Sequence, residues 1–405
     1  MSTVAEVRLR LIYDSRGKET VEATVTTDGG AVGVAGAPSG ASTGTHEVQA
    51  FPRGGVATAL EVGRMAVRPA LLGRPLEDQA GFDSALHEVD RTPNFSRIGG
   101  NTATALSIAF ALARAAELGV DLAESLGTVG RPSAWPAVVG NCLNGGRHAI
   151  GGPEFQEFIA FAPGATPADE VRAALAVHRA IGEELHRQLP THALGRGDEG
   201  GWVAPVSNLE ALELLASACA KVRDETHLSV YPGLDLAASE FYRDGAYRYR
   251  DRALALDGQV AFLGEIVDRY GIRYLEDPLD QEEFDGFARV TAAVGSKCLV
   301  VGDDIYTTRR ERLQAGIERK SSNAILIKVN QVGTLTDTLA TVALAKASGL
   351  ATVTSHRSGD LPEGWLADLA VAFGSAGLKC GLLGGERVAK LNELLRLGAA
   401  TEAPH

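Results

Sequence analysis

The sequence predicts a parallel strand–helix barrel preceded by a smaller α+β domain, and three observations carry that expectation. The rhythm of the chain changes near residue 130. Beyond that point short apolar runs alternate with helical segments, which implies a parallel sheet with helical crossovers. Nearly every one of those runs also ends in a polar residue that an ordinary core strand would not carry.

The first part reads as a sheet followed by helices. The stretches "AEVRLRLIYDSRG" and "ETVEATVTTDGGAVGVAGAPSGAS" alternate Val and Thr around a Gly-Gly turn, as strands joined by a hairpin do. From about Gly55 to Leu126 the chain becomes Ala/Leu-rich with helical spacing, and in "NTATALSIAFALARAAELG" Gly119 is placed to end a helix. Residues 1–130 are therefore expected to form an α+β capping domain and residues 131–405 the barrel. The Gly/Pro-punctuated "GTVGRPSAWP" connects them.

In the second part the apolar runs are "AVVGNCLN", "LSVYPGLDLA", "IRYLED", "CLVVGDD", "AILIKVN", "ATVTSHR" and "GLKCG". This many units favours a closed barrel over an open doubly wound sheet. The polar residues at the run ends are Asp235, Glu276, Asp303, Lys328, His356 and Lys379, spaced by one strand–helix unit after a longer first interval. In a (β/α) barrel the carboxyl ends of the strands meet on one face, where active sites form. Six such residues should converge on one mouth.

Composition narrows the function classes. The net charge of −12 argues against general nucleic-acid or membrane binding, while leaving room for a local basic pocket for an anionic substrate. Cys142, Cys219, Cys298 and Cys380 show no C-x-x-C pairing and read as reduced thiols of a cytoplasmic protein. The start "MSTVAEVRLR" lacks the apolar segment of a signal peptide, and no run of about 18 apolar residues suggests a membrane span.

Asp235, Glu276 and Asp303 in one mouth would repel each other unless a cation neutralises them. Oxygen ligands without Cys or His favour a hard ion, Mg²⁺ or Mn²⁺, over zinc. In "AILIKVN", burial and a nearby cation should both lower the Lys328 pKa and make it a candidate general base. The alternative is an ion pair with the acids. "SHRSG" places His356, Arg357 and Ser358 together, a combination suited to a phosphate or similar oxyanion. "GRGDEGG" matches a dinucleotide-binding G-x-G-x-x-G, but it follows no convincing strand, and its two acids would repel a pyrophosphate. Its glycines instead let the backbone turn tightly around Glu199.

The motifs "DSRG", "PSGASTG", "LNGGRHA", "QEF", "GDEGG", "LDLAASEFY", "EDPLD", "GDDIYTT", "ILIKVNQVGTLT", "SHRSGD", "ADLAVA" and "RVAKLNELLR" occur in the order and nearly the spacing found in enolases. From about residue 8 to residue 397 the chain resembles the enolase family. That resemblance implies a modified TIM-type (β/α)8 barrel with a ββαα start behind an amino-terminal α+β domain. It implies a Mg²⁺-dependent lyase that dehydrates 2-phosphoglycerate to phosphoenolpyruvate in glycolysis. Asp235, Glu276 and Asp303 would hold one Mg²⁺, and Ser42 would join a second ion recruited with substrate. Lys328 would take the α-proton and Glu199 would help the hydroxide depart. Lys379 would contact the substrate carboxylate, and Arg357 with Ser358 the phosphate. His148, Gln156 and Glu157 match further active-site positions beside His356. Enolases form dimers or octamers, so a cytoplasmic homo-oligomer acting on a small phosphorylated or phosphonylated carboxylate is expected.

The chain departs from the family pattern at several loops. The stretch after "THE" is shorter, Arg147 stands where enolases carry a small Ser, and "DLPEGW", "KCGLLGGER" and the tail are rewritten. These changes spare the reaction centre and alter its surroundings, as a changed substrate would require. A specialised paralogue forming carboxyphosphonoenolpyruvate in phosphonate or phosphinate biosynthesis is therefore the alternative, with Arg147 meeting an extra negative group. Arg147 could equally pair with Glu154 or another surface acid. A non-catalytic enolase-like binding protein fits poorly with the intact Lys328, Glu199 and acidic triad.

Overall fold

The computed structural model describes residues 2–41, 44–127 and 134–400. Strands β1 (Val4–Tyr13), β2 (Glu19–Thr27) and β3 (Val32–Gly36) form an antiparallel sheet in that order. Helices α1 (Gly55–Val62), α2 (Gln79–Asp90) and α3 (Gly100–Leu118) follow. Small residues let α3 lie close on β2 and β3, and most of its length is buried. It ends at Gly119, whose φ of 69° is the left-handed C-cap the sequence suggests. The boundary expected near residue 130 falls among residues 128–133, outside the described residues, as does Ser42.

The second sheet is a closed eight-stranded barrel. Its strands are β4 (Ala137–Asn144), β5 (Glu157–Ala162), β6 (Tyr231–Asp235), β7 (Tyr274–Glu276), β8 (Leu299–Gly302), β9 (Ala324–Ile327), β10 (Ala351–Ser355) and β11 (Gly377–Gly381). Each pairs with the next, and β11 pairs back with β4 from Gly377↔Ala137 to Gly381↔Asn141. All neighbours are parallel except β5, which runs against both β4 and β6.

The apolar runs in the sequence do not single out β5. Its reversal follows from its connection to β4, which contains one 3-10 turn (Gly146–His148) and no crossover helix. Two helices, α4 (Pro167–Gln188) and α5 (Asn208–Thr226), then precede β6. Thr166 caps α4, and a Ser207–Glu210 capping box starts α5. Helices α6 (Leu256–Tyr270), α7 (Phe284–Val294), α8 (Arg310–Arg319), α9 (Leu335–Ala347), α10 (Trp365–Ala372) and α11 (Gly385–Ala400) complete the alternation.

Inside the barrel Val139, Ile159, Tyr274, Val301, Ala324, Leu326 and Val353 form a fully buried plug. The barrel is thus a packed core with its polar groups gathered above the plug. The amino-terminal helices dock on α9: Asp83 Oδ2 accepts from Thr336 N at 3.0 Å and from Thr336 Oγ1 at 2.6 Å, and Ser107 Oγ accepts from Leu335 N at 2.9 Å. Among the described residues, no helix is long and apolar enough to cross a membrane.

Candidate active site

Strand register assembles one side of the mouth. Glu157 pairs with Asp235, and Asp235 with Glu276, so three buried carboxylates stand at one level on adjacent strands. Asp303, Lys328 and His356 each sit one residue beyond β8, β9 and β10, while Lys379 lies in the middle of β11. The Lys379 ammonium bridges the group, with Nζ 2.7 Å from Glu276 Oε1, 3.0 Å from Asp235 Oδ2 and 3.3 Å from Glu157 Oε1. Gln156 Nε2 donates to Asp235 at 3.3 Å. Lys328 Nζ pairs with Asp303 Oδ2, and Gln331 Nε2 donates to Asp303 Oδ1 at 3.0 Å.

Acids outnumber cations here, and the proton affinities record it. Burial, then the charge of Asp235, pushes Glu276 up to about 8. Burial and Glu199 push Glu157 well above the carboxylate range. Burial alone would lower Lys379, but Asp235, Glu157 and Glu276 hold it well above the usual lysine value. Lys328 corrects an expectation. Burial does act to lower its pKa, yet the adjoining Asp303 charge outweighs burial, and the pKa is raised. The ion-pair alternative describes Lys328 in this state.

The tightest groupings of ligand-type side chains among the described residues are Asp277–Asp303–Asp304 and His148–Glu157–Glu199, each within 4.8 Å. Asp277 is already engaged, since its carboxylate accepts the backbone N–H groups of Asp303 (2.9 Å) and Asp304 (2.8 Å). Asp235, Glu276 and Asp303 offer oxygen ligands only, and all three are buried among excess negative charge. That donor set fits a hard divalent cation.

The other side of the mouth is built around Glu199. Gly195–Arg196 pairs antiparallel with Trp202–Val203 beside β4, and Asp198 and Glu199 sit at the tip of this hairpin. Gly200 has φ 80°, and a Cβ there would lie 2.2 Å from Leu383 O, so glycine is required. Asp198 turns outward to Arg16, 2.9 Å away, and Glu199 turns inward. Glu199 Oε2 is 3.0 Å from Asn141 Nδ2, 3.4 Å from His356 Nε2 and 3.8 Å from His148 Nδ1. Burial acts to raise the Glu199 pKa, but His148, His356 and Arg387 outweigh it and leave the carboxyl well below its ordinary range. Burial lowers His356 to about 4.

A fork stands over the space between the two sides. Arg357 reaches both oxygens of Glu47 at 3.0 Å and donates to Asn330 Oδ1 at 2.8 Å. Ser358 Oγ accepts from Ala41 N at 2.5 Å. The cleft bounded by Glu199, Lys328, Arg357, Ser358 and Lys379 is small and lined mainly by polar groups. It suits a compact acid better than a dinucleotide. The roomier groove between α4 and α5 is lined by exposed charges such as Glu183, Arg187 and Glu213 and gathers no buried ones.

The family model described as "Enolase, N-terminal domain" matches residues 4–126, and that for "Enolase, C-terminal TIM barrel domain" matches residues 133–403. Proteins named enolase are similar over nearly the full length. The one from Methanothermobacter thermautotrophicus is 46% identical over 402 residues, covering 98% of this chain and 96% of that protein. The one from Natronomonas pharaonis is 44% identical over 403 residues (98% and 100%), and the one from Picrophilus torridus 43% over 394 residues (97% and 98%). The chain belongs to the enolase family. It is a carbon–oxygen lyase of the enolase type.

In this enolase-family barrel, ten of the residues singled out from the sequence share the mouth: Glu199, Lys328, His148, Glu157, Gln156, His356, Arg357, Ser358, Lys379 and Asp235 all line the cleft. Glu276 and Asp303 adjoin it through Lys379 and Lys328. Arg147 does not line it. Its Nε pairs with Glu240 Oε2 at 2.6 Å on a half-exposed rim. The surface-pair alternative therefore describes Arg147, with Glu240 as the partner in place of Glu154.

Sequence reasoning missed Asn141, Glu47 and Arg387. Asn141 left a signal, an amide inside the otherwise apolar "AVVGNCLN". Glu47 left none, because it acts on Arg357, 310 positions away, and Arg387 opens "RVAKLNELLR" without any sign of its contact with His356.

Proposed function

We propose that this enolase-family lyase dehydrates 2-phosphoglycerate to phosphoenolpyruvate, with Mg²⁺ as cofactor, in the cytoplasm and as a homo-oligomer, dimer or octamer. The observation that carries the reading is that Lys328 and Glu199 face the same small cleft from different walls, between cationic anchors for a carboxylate and a phosphate. Exposed Leu11, Tyr13, Val32 and Val34 on the first sheet support association.

Lys328 would take the α-proton as the neutral amine, after giving up the proton that holds it to Asp303, and the bond electrons move toward the substrate carboxylate. Glu199, beside His148 and His356, would enter this step protonated and hand that proton to the β-hydroxyl, so that it leaves as water. Lys379 fixes the carboxylate end. Arg357 exchanges Glu47 for the phosphate, and Ser358 adds a hydroxyl. Asp235, Glu276 and Asp303 would hold Mg²⁺, with Ser42 near a second ion. A bound divalent cation would stabilise the charge that develops on the carboxylate. Arg147 already has Glu240 as a partner, so the feature that favoured a substrate with an additional anionic group no longer argues for one.

The test combines turnover and exchange. The purified protein with Mg²⁺ and 2-phosphoglycerate should form the enol product, followed by ultraviolet absorbance. Lys328→Ala should lose exchange of the α-proton with solvent deuterium, whereas Glu199→Gln should keep exchange and lose elimination. Wild-type exchange in Lys328→Ala would overturn the assignment of the base.

A further inference from the structure

Arg387, near the start of α11, is fully buried behind the loops that carry His356, Arg357, Ser358 and Asp198. Its Nη1 lies 2.7 Å from His356 Nδ1 and 2.6 Å from Arg357 O. Its Nη2 donates to Ser358 O at 2.6 Å and to Asp198 O at 3.0 Å. A guanidinium has donors only and keeps its charge, so His356 Nδ1 must be the acceptor. The imidazole hydrogen then resides on Nε2, the atom 3.4 Å from Glu199 Oε2.

We propose that Arg387 is a positioning residue that fixes His356 as its neutral Nε2–H tautomer and leaves that N–H, which has no hydrogen-bond partner among the described residues, beside Glu199 for the leaving hydroxyl. The same side chain ties the hairpin carrying Glu199 to the loop carrying Arg357 and Ser358, so the two ends of the substrate site move as one unit. Neutrality matters because a cationic His356 would bind the Glu199 carboxylate as an ion pair and occupy it. The charged groups facing His356 are Arg387, Glu199 and Asp360, with His148 beyond Glu199. Burial and Arg387 lower its basicity, while Glu199 and Asp360 oppose them. The His356 backbone is fixed as well, its N–H donating to Lys379 O at 3.1 Å.

The part about the leaving hydroxyl rests on the dehydration proposed above, whereas the tautomer does not. Both are read by ¹⁵N spectra of the full chain labelled at its nine histidines, with the His356 signals assigned by their loss in His356→Gln. The parent should show a protonated Nε2 and a bare Nδ1, unchanged from pH 8 to pH 5.5. In Arg387→Met, His356 should become more basic or populate both tautomers. The kcat of that variant should fall about 10–100-fold with a new acid limb in its pH profile. Arg387→Lys, which keeps a charged donor, should restore the tautomer. An Nδ1–H or cationic His356 in the parent at pH 7 overturns the proposal, and that result needs no variant to fold. An unchanged tautomer in Arg387→Met also overturns it. The expected spectra in a protein that does not turn over 2-phosphoglycerate would uphold the tautomer and reject the substrate.

Discussion

Buried carboxylates are held in two different ways in the mouth and in the helical shell. In the mouth, Asp235, Glu276 and Glu157 share one ammonium, and Asp303 leans on another. In the shell, Asp83 is served by fixed donors, the Thr336 N–H and hydroxyl and the Gln79 amide, and Glu170 accepts the Gly164 N–H at 3.2 Å. A shared ammonium can be displaced by a ligand, whereas a backbone N–H cannot. Acids that serve chemistry are therefore poised against one another, and acids that serve the fold are tied down.

The difference can be broken most forcefully at Glu276. Glu276→Gln should lower Mg²⁺-dependent turnover by at least about a hundredfold. Its thermal midpoint should stay level or rise, because a neutral amide replaces a carboxyl whose ionisation burial and Asp235 already oppose. Activity assays beside calorimetry check this, and a variant that loses stability together with activity would erase the contrast. Asp83→Ala should do the reverse. It leaves the Thr336 N–H without an acceptor and should remove about 2–4 kcal/mol of stability in urea melts, with kcat of the folded fraction unchanged.

Glu170 sharpens the shell side through pH. Burial raises its pKa to about 8, so folding takes up a proton between its ordinary value near 4.5 and 8. Stability consequently falls as pH rises through that window. Glu170→Gln keeps the acceptor for Gly164 and removes the charge. It should match the parent near pH 4 and exceed it by about 3–5 kcal/mol above pH 8 in pH-resolved melts.

The smallest effect lies at the domain joint, where His87 Nε2 meets Asp337 Oδ2 at 2.8 Å. Its hydrogen bond to Asp337 raises the His87 pKa. That stability is full below the ordinary histidine value and fades as pH climbs through the raised one. Both partners are more than a third exposed, so His87→Ala should remove less than about 1 kcal/mol near pH 6, and 1 M salt should abolish the difference.

Strand-end spacing made Asp235, Glu276, Asp303, Lys328, His356 and Lys379 legible, because one residue per strand–helix unit reaches the mouth whatever the intervening helices contain. The same rule fails for Gln156 and Glu157. They stand at the beginning of β5, and only the reversal of that strand turns a beginning toward the mouth. The charge state of Lys328 was misjudged for a related reason, since sequence shows that acids are near without showing which one lies against the ammonium. Arg387 stands in "KCGLLGGER" and "RVAKLNELLR", and nothing in either stretch marks it as buried. Its burial depends on the loop after β10, about thirty residues upstream, and on the hairpin at Asp198, 189 residues upstream.

The pairing of β11 with β4 also governs how the molecule is made. While the chain leaves the ribosome, β4 waits with a bare edge until β11 emerges. About 240 residues separate them, and at roughly 5–20 residues per second the delay is on the order of tens of seconds. During that interval the half-built ring offers nascent neighbours an unpaired strand edge. Newly synthesised chains should therefore depend on holdase chaperones until the last strand docks, and Arg387, which follows β11, can reach His356 only after the ring has shut.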